Sequence, residues 1–233
     1  MISIVIPAYR EKDRLPGTLI RIEEYIASRN YGSEIIIVVE KKDIETKMAA
    51  MDFNNKYDNI IIIENSDSKG KGRSVKSGVL NSKGDYVFFL DADLSTPIEE
   101  IDKFIKFLDE GYDIVIGSRF LKESKILELQ SLFRRIAGFI FRVLRRIILI
   151  KNIKDTQCGF KGFKKDVALN LFSKLNITGF AFDVEILHKA SKVGYSIKEV
   201  PVVWRNDPHS KVLPVRSSLE MLIDIFRIRF NLF

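Results

Sequence analysis

The sequence has a single cysteine and no long apolar run among its 233 residues. Cys158 cannot form a disulfide within the chain, which favours a reducing compartment and disfavours catalytic thiol chemistry. No apolar run reaches about 18 residues, the length at which a transmembrane helix is predicted. The run Ile2–Ile6 is too short for the apolar region of a signal peptide. We therefore expect a soluble or peripheral protein without a transmembrane helix, in the cytosol or at the cytoplasmic face of a membrane.

Acidic residues balance basic residues everywhere except in one segment. The formal net charge is +7, and residues 119–151 contain nine Lys or Arg but only two acidic residues. This segment accounts for the whole positive excess. Because the basic character is local, it does not by itself predict a nucleic-acid partner, and we expect none.

Apolar, β-branched runs alternate with helix-like stretches in the first half of the chain. The predicted strands are Ile2–Ile6, Glu34–Val39, Asn59–Ile63, Tyr86–Leu90 and Ile114–Ile116. The predicted helices are approximately Leu15–Ser28, Ile44–Tyr57, Gly72–Asn81 and Ile98–Leu108. The alternation predicts an α/β fold with a mostly parallel, twisted sheet and helices on both faces.

The second half of the chain is less regular, and we expect it to belong to the same single domain, residues 1–233. A glycine-rich segment spans Asp155–Gly162. Further helices are predicted at Lys165–Lys174, at Phe182–Val193 and from about Ser217, with a strand at Ile197–Val203.

Polar residues follow several predicted strands at the point where each strand ends. They are Pro7-Ala8-Tyr9, Glu40, Asn65, Asp91 and Ser118-Arg119. The carboxyl ends of parallel strands share one edge of the sheet, where ligands of open α/β sheets bind. The sequence therefore predicts a ligand site at this edge.

Asp91-Ala92-Asp93 is the candidate metal site. Two carboxylates at i and i+2, at the mouth of a buried strand, suit a hard divalent cation whose other ligands are water and phosphate oxygens. Asp-x-Asp is a common pattern, so a solvated turn is the alternative. The position at the ligand edge favours the cation, and we expect Mg²⁺ or Mn²⁺ at Asp91 and Asp93.

The segment Asp67–Arg73 precedes a predicted helix and contains two glycines. Its backbone could approach a phosphate that Lys71 or Arg73 neutralises. A plain basic turn explains the same residues equally well.

Residues 132–150 form an amphipathic helix with five arginines on one arc and mostly aliphatic or aromatic residues opposite. The arginines are Arg134, Arg135, Arg142, Arg145 and Arg146. One interpretation is an interfacial helix whose arginines attract an anionic membrane surface. The other is a core helix with its arginines in water. The absence of acidic residues from the arc favours the membrane, and a C-terminal helix at Leu219–Phe233 could lie beside it.

Four segments form an ordered set in the first half of the chain: Ile6–Glu11, Lys71-Gly72, Asp91–Asp93 and Gly117–Arg119. This set resembles the inverting family-2 glycosyltransferases with a nucleotide-diphospho-sugar transferase (GT-A type) fold. Four later segments continue the set: Asp155–Lys161, Phe180–Glu185, Glu199–Trp204 and Ser210–Val212. These are similar to dolichyl-phosphate β-glucosyltransferases, with dolichyl-phosphate mannose synthases as nearest relatives.

The resemblance implies transfer of a hexose to a polyprenyl or dolichyl phosphate, with metal assistance and inversion at the anomeric carbon. UDP-glucose is the preferred donor, and GDP-mannose or another acceptor is the alternative. Residues 1–118 would bind the nucleotide sugar and residues 119–233 the acceptor. A sugar-1-phosphate nucleotidyltransferase would need a glycine-rich loop after the first strand, which is missing. A basic binding module without catalysis would leave Asp91-Ala92-Asp93 unexplained.

The resemblance also implies roles for individual residues. The nucleotide-sugar-binding residues would be Pro7, Ala8, Tyr9, Glu11, Glu40, Lys71, Asp91, Ala92 and Asp93. The acceptor phosphate or sugar would meet Arg119, Arg134, Asp155, Gln157, Ser210 and Lys211. The residues implied to act in catalysis are Asp91, Asp93, Arg119, Arg134 and Lys211.

Some of these roles have alternatives. Glu40-Lys41-Lys42-Asp43 stands where the family has an Asp-Asp-Gly-Ser-like turn, so either Glu40 or Asp43 would contact the nucleoside. Asp155 and Gln157 equally fit a structural turn. Asp183 and Glu185 are either catalytic groups or internal hydrogen-bond anchors.

Overall fold

The computed structural model describes residues 1–65, 70–129, 131–207 and 214–233, apart from the side chains of residues 133 and 214–218. The strands are β1 Ile2–Ala8, β2 Ser33–Glu40, β3 Ile60–Asn65, β4 Tyr86–Leu90, β5 Ile114–Ser118, β6 Lys125–Ile126, β7 Phe160–Lys164, β8 Ile197–Pro201 and β9 Val203–Trp204. The helices are α1 Leu15–Arg29, α2 Ile44–Asn54, α3 Lys71–Leu80, α4 Ile101–Asp109, α5 Leu132–Ile148, α6 Lys165–Ser173, α7 Phe182–Val193 and α8 Pro214–Phe230.

Seven strands form the main sheet in the order β3-β2-β1-β4-β7-β5-β8. All neighbouring pairs are parallel except the two that involve β7, which runs antiparallel between β4 and β5. The mostly parallel α/β sheet predicted from the sequence is therefore confirmed. Strands β6 and β9 form a separate small ladder, which the sequence did not predict.

Apolar side chains cover both faces of the sheet. Successive residues of a strand point to opposite faces, so Ile4 and Ile6 join one buried cluster while Val5 joins the other. The first cluster contains residues of α1, α2 and α4, and the second contains residues of α3, α6, α7 and α8. Helices on both faces, as predicted, leave the ends of the strands as the open edges.

The central strand β7 is the largest difference from the predicted elements, which had only a glycine-rich segment as far as Gly162. Two lysines and a glycine among its five residues explain why the sequence pattern did not predict this strand. Lys161 is buried in the sheet because its ammonium is paired inside the protein. Gly162 faces Phe88, whose ring would lie 2.5 Å from an added Cβ. Packing therefore requires glycine at position 162, and the buried ion pair explains how a lysine fits at position 161.

Helix α5 is amphipathic as predicted. The expectation that all five of its arginines face outward is wrong. Arg145 is only 1% exposed and donates to the carbonyls of Ile150, Ile153 and Lys154 at 2.7 to 3.1 Å. It therefore cannot attract a lipid head group, because all its charge is directed into the protein. Arg142 is also partly buried, whereas Arg135 and Arg146 are exposed.

The opposite side of α5 is apolar and exposed, and α5 packs against α8, which has a similar exposed stripe. We call these two stripes the apolar faces: Leu132, Ile136, Phe139, Ile140, Val143 and Ile147 of α5, with Leu219, Ile223, Phe226 and Phe230 of α8. Within the described ranges, no helix combines the length and apolarity needed to cross a membrane.

Candidate active site

The two aspartates follow β4 directly, at the carboxyl edge of the sheet. Leu90 is buried, and the chain then turns so that Asp93 accepts a hydrogen bond from the Ser95 amide at 2.9 Å. Burial, followed by repulsion from Asp91, raises the pKa of the Asp93 carboxyl. The Asp91 carboxylate lies against Gly159, where any Cβ would collide with it. The Asp91 carboxylate therefore packs directly against the backbone at Gly159.

A divalent cation fits this pair. The two carboxylates repel each other, and an ammonium already lies beside one of them, since Lys71 Nζ is 2.5 Å from Asp91 Oδ1. Among the described residues, no cluster of three His, Cys, Asp or Glu could hold a metal ion. An ion at Asp91 and Asp93 would therefore need water and ligand oxygens to complete its coordination, as Mg²⁺ commonly does at phosphates.

The glycines around Lys71 pack against protein rather than opening toward a ligand. A Cβ at Gly70 would collide with the Thr178 carbonyl, and one at Gly72 would lie 2.6 Å from Phe182 Cβ. Gly70 also has a φ of 114°, which favours glycine,. This packing presses the first turn of α3 onto the segment before α7 and directs Lys71 toward Asp91. Residues 66–69 of the predicted phosphate loop lie outside the described residues.

Asp183 and Glu185, at the start of α7, are both engaged inside the protein. Asp183 pairs with the buried Lys161 ammonium at 2.6 Å, and Lys161 also donates to the Cys158 carbonyl. Glu185 accepts hydrogen bonds from the amides of Asn176 and Ile177 and pairs with Lys189. Both carboxylates are hydrogen-bond anchors, which was one of the two interpretations of these residues.

A cavity of about 600 Å³ opens beside β1 and β2 and is lined by Tyr9, Glu40 and Asp43, among others. The Asp43 carboxylate already has hydrogen-bond partners within the protein. It caps α2 by accepting from the Thr46 amide, and it also accepts from the Arg10 amide. Asp43 therefore holds the turn after β1 in place, which leaves Glu40 as the better placed carboxylate to contact a ligand in this cavity.

The other residues predicted to border the nucleotide surround the same edge. Pro7 and Ala8 end β1, and Ala8 is buried. Ala92 is buried and accepts a hydrogen bond from the Thr18 hydroxyl at 2.6 Å. The Glu11 amide donates to Thr46.

The Glu11 carboxylate binds Arg14, and Arg14 binds Asp207 as well. Arg14 thereby joins the turn after β1 to the chain just before residues 208–213. Ser210 and Lys211, which were predicted to close over a phosphate, lie outside the described residues.

Arg119 follows β5 and is fixed by Asp155. Asp155 accepts from the Arg119 amide, Nε and Nη2 at 2.7 to 3.0 Å and from the Gln157 amide at 3.0 Å. Burial of Asp155 disfavours its charge, but Arg119 and these hydrogen bonds outweigh burial and hold its pKa below the usual value. The Asp155 amide is in turn held by Glu199. Asp155 is therefore a positioning residue for Arg119.

A second guanidinium lies beside Arg119. Phe120 contacts both arginines, with Arg119 Cζ 5.6 Å and Arg142 Cζ 3.8 Å from its ring centroid. The sequence periodicity had assigned Arg142 to the membrane arc, so this contact was missed; only the proximity of α5 to the end of β5 reveals it. The predicted Arg134 is half-buried in the first turn of α5.

Gln157 has a buried amide nitrogen without a hydrogen-bond acceptor in the described part of the chain. Its backbone is fixed by Asp155, and Gly159, two residues on, contacts Asp91. An unsatisfied buried donor costs about 1–3 kcal/mol.

One edge of this sheet thus brings together two neighbouring carboxylates, a cavity of about 600 Å³ and an arginine fixed by a buried aspartate. A sequence profile of Glycosyl transferase family 2 matches residues 3–172, and the chain belongs to that family. The dolichyl-phosphate beta-glucosyltransferase of Dictyostelium discoideum is 35% identical over 99% of this chain and 74% of its own length. The Homo sapiens enzyme of that name is 32% identical, over 99% and 75%.

Solved structures confirm the fold. Glucosyl-3-phosphoglycerate synthase from Mycobacterium tuberculosis, in complex with Mg²⁺ and uridine diphosphate, matches with a TM-score of 0.73 at 15% identity, covering 99% of this chain and 79% of that one. Mannosyl-3-phosphoglycerate synthase from Rubrobacter xylanophilus matches with a TM-score of 0.74 at 17% identity, covering 100% and 74%. At these identities the likeness concerns the GT-A fold alone.

Proposed function

We propose that this glycosyltransferase transfers glucose from UDP-glucose to dolichyl phosphate or another polyprenyl phosphate, with inversion at the anomeric carbon. One observation supports a lipid phosphate as the acceptor. Arg119 and Arg142 lie together between the end of β5 and α5, and the apolar face of α5 is exposed. A phosphate bound there would have an apolar surface beside it for its lipid chain. The names of the relatives support the same acceptor and sugar.

The donor would lie along residues 1–118. Its nucleoside would occupy the cavity beside Tyr9 and Glu40, with Glu40 taking the contact that the family's aspartate makes. Its diphosphate would reach Asp91 and Asp93. A Mg²⁺ or Mn²⁺ ion held by these two aspartates would supply Lewis-acid stabilisation of the charge that develops on the leaving diphosphate.

The acceptor would lie along residues 119–233. A lipid phosphate is already anionic near neutral pH, so the protein needs no strong general base to activate it. This agrees with Asp183 and Glu185 being engaged as anchors. Arg119 and Arg142 would orient the phosphate and offset its repulsion from the donor diphosphate, and Gln157 would donate to the sugar or to a phosphate oxygen. Arg134, Ser210 and Lys211 remain predicted phosphate contacts.

We further propose that the apolar faces of α5 and α8 rest on an anionic membrane at its cytoplasmic side. An interfacial helix buries its apolar side among acyl chains and keeps basic residues at the head groups. The exposed Arg135 and Arg146 would make those head-group contacts,. The acceptor's lipid chain requires the same surface, because it is anchored there.

A donor panel tests the transfer. Purified protein, a short polyprenyl phosphate and UDP-glucose or GDP-mannose are incubated with Mg²⁺, Mn²⁺ or EDTA, and the product lipid is quantified. We expect transfer from UDP-glucose that requires the cation and is lost in Asp93→Ala. Asp52→Ala removes an exposed carboxylate from α2 and serves as the matched control, with unchanged activity. Full transfer in EDTA would refute the cation's role, and transfer only from GDP-mannose would refute the donor.

Flotation with anionic vesicles tests the membrane surface. Phe139 and Phe226 are 57% and 50% exposed, and burying one such side chain contributes roughly 1.5–3 kcal/mol. Because only about half of each ring is still exposed and available for burial, changing both to serine should weaken vesicle binding by at least about tenfold. Met48→Ser, at a 62% exposed position of α2, should bind normally. If the double variant floats as well as the unaltered protein, the apolar faces are not the membrane surface.

A further inference from the structure

The ammonium of Lys71 forms an ion pair with Asp91, one of the two carboxylates that would bind the proposed cation. Lys71 Nζ lies 2.5 Å from Asp91 Oδ1, and the two side chains are only 21% and 33% exposed. The contact is not incidental, since Gly70 and Gly72 pack closely against the segment before α7 and fix the turn that carries Lys71. Lys71 therefore stands in for the cation at Asp91.

A second carboxylate is available to the same lysine. Asp183 also attracts the Lys71 ammonium, because the packing of α3 against the start of α7 brings the two elements together. Asp183 already binds Lys161 at 2.6 Å. Three carboxylates, Asp91, Asp93 and Asp183, thus share two lysines, which leaves a net charge of −1 on the cluster.

The Lys71 ammonium at Asp91 opposes simple addition of a divalent cation, although the cluster as a whole is negative. Lys71 and the cation would compete for Asp91, and both would be positive in a partly buried space where like charges repel strongly. The arriving diphosphate of a nucleotide changes this balance, because it supplies anionic oxygens to both the cation and the displaced ammonium.

We propose that Lys71 competes with the divalent cation for Asp91 and so makes cation binding depend on the nucleotide diphosphate. This inference rests on the proposed function and adds an order to its donor-binding step. Without nucleotide, the Lys71 ammonium holds Asp91 and the cation binds weakly. With nucleotide, Lys71 moves toward the diphosphate or Asp183, and the cation gains both Asp91 and Asp93. Lys71 is thus a positioning residue that couples two ligands.

The test is the affinity for Mn²⁺, measured without any acceptor by electron paramagnetic resonance of the free ion, in the presence and absence of UDP. Lys71→Met removes the competing charge, and Lys71→Gln is a second variant should the first fold poorly. Lys71→Arg retains the charge. Arg73→Met removes one positive charge from the same turn and is the matched control for general electrostatics.

We expect Lys71→Met to bind Mn²⁺ about tenfold more tightly than the unaltered protein without UDP, within the usual range for coupling between two sites. The enhancement of Mn²⁺ binding by UDP should fall by a similar factor, since the two ligands are linked reciprocally. Lys71→Arg should behave like the unaltered protein, and Arg73→Met should change Mn²⁺ affinity much less than Lys71→Met.

Equal Mn²⁺ affinities of the unaltered protein and both neutral Lys71 variants without UDP would overturn the inference. So would an equal gain in Arg73→Met, because that gain would reflect net charge alone. Either result leaves the glucosyl-transfer proposal standing, since the donor panel measures transfer independently.

Discussion

Asp155→Asn is the substitution whose effect follows most directly from the structure. Asp155 is 2% exposed and its partner Arg119 is 17% exposed at the side chain. Asparagine has the same shape, but its amide group places a donor where Arg119 needs an acceptor. Breaking a buried ion pair costs about 3–5 kcal/mol, and the slight exposure of Arg119 favours the lower end. At about 2–4 °C per kcal/mol for a chain of this size, the melting temperature should fall by roughly 6–12 °C.

Urea unfolding followed by circular dichroism measures this loss. The matched control is Asp85→Asn, which removes a charge from an ion pair at the surface, 77% exposed, and should leave the unfolding free energy almost unchanged. A loss below about 1 kcal/mol in Asp155→Asn would refute the reasoning, because Arg119 would then not depend on Asp155 for its charge balance.

The stability gap between Asp155→Asn and the unaltered protein should also depend on pH. Burial alone would raise the pKa of Asp155, but Arg119 and the amide donors outweigh it and hold the folded-state pKa below its ordinary 3.8. The stabilisation is therefore fully present above about pH 3.8 and is lost as pH falls through the folded value. Unfolding curves of both proteins between pH 7 and the acid limit of folding should converge at low pH. A gap that widens on acidification would contradict the sign.

Three further substitutions have separate expected outcomes. Gly159→Ala should abolish cation-dependent transfer, because its methyl group displaces the Asp91 carboxylate; Mn²⁺ binding in the presence of UDP reports the loss. Arg145→Met should lower the unfolding free energy by about 2 kcal/mol or more, since three carbonyls lose a buried donor,, whereas Arg146→Gln should stay within about 0.5 kcal/mol. Glu40→Gln should raise the KM for the nucleotide sugar without changing the melting temperature; an unchanged KM would place the nucleoside elsewhere.

The sequence was sufficient to predict the parallel strands of the main sheet because most of them are apolar runs. The segments Ile35–Val39 and Val87–Leu90 are buried throughout, and such runs between helical stretches have few other interpretations. The same logic placed Asp91 and Arg119 at one edge, since both follow parallel strands. The site residues that follow strand ends could therefore be predicted from the sequence alone.

Features that depend on contacts between residues far apart in the chain could not be predicted from the sequence. Lys161 in the middle of β7 resembles a surface residue until Asp183, far along the chain, is seen beside it. Arg145 has the spacing of an exposed arginine, and only the fold of residues 150–154 around its guanidinium makes it internal. Helical periodicity identifies a polar side of a helix but does not reveal whether water or backbone carbonyls satisfy it.

The antiparallel strand β7 has a consequence for how the chain is assembled during synthesis. Among the described strands, β5 forms ladders only with β7 and β8, so the backbone groups of β5 have no sheet partner when residue 118 leaves the ribosome. Unpaired strands of this kind are prone to aggregate. Strands β4 and β5 are joined into one sheet only after β7, which ends at Lys164, has been synthesised. An isolated fragment of residues 1–118 would therefore leave β5 without a ladder partner among the described strands, even though it contains both aspartates of the proposed cation site.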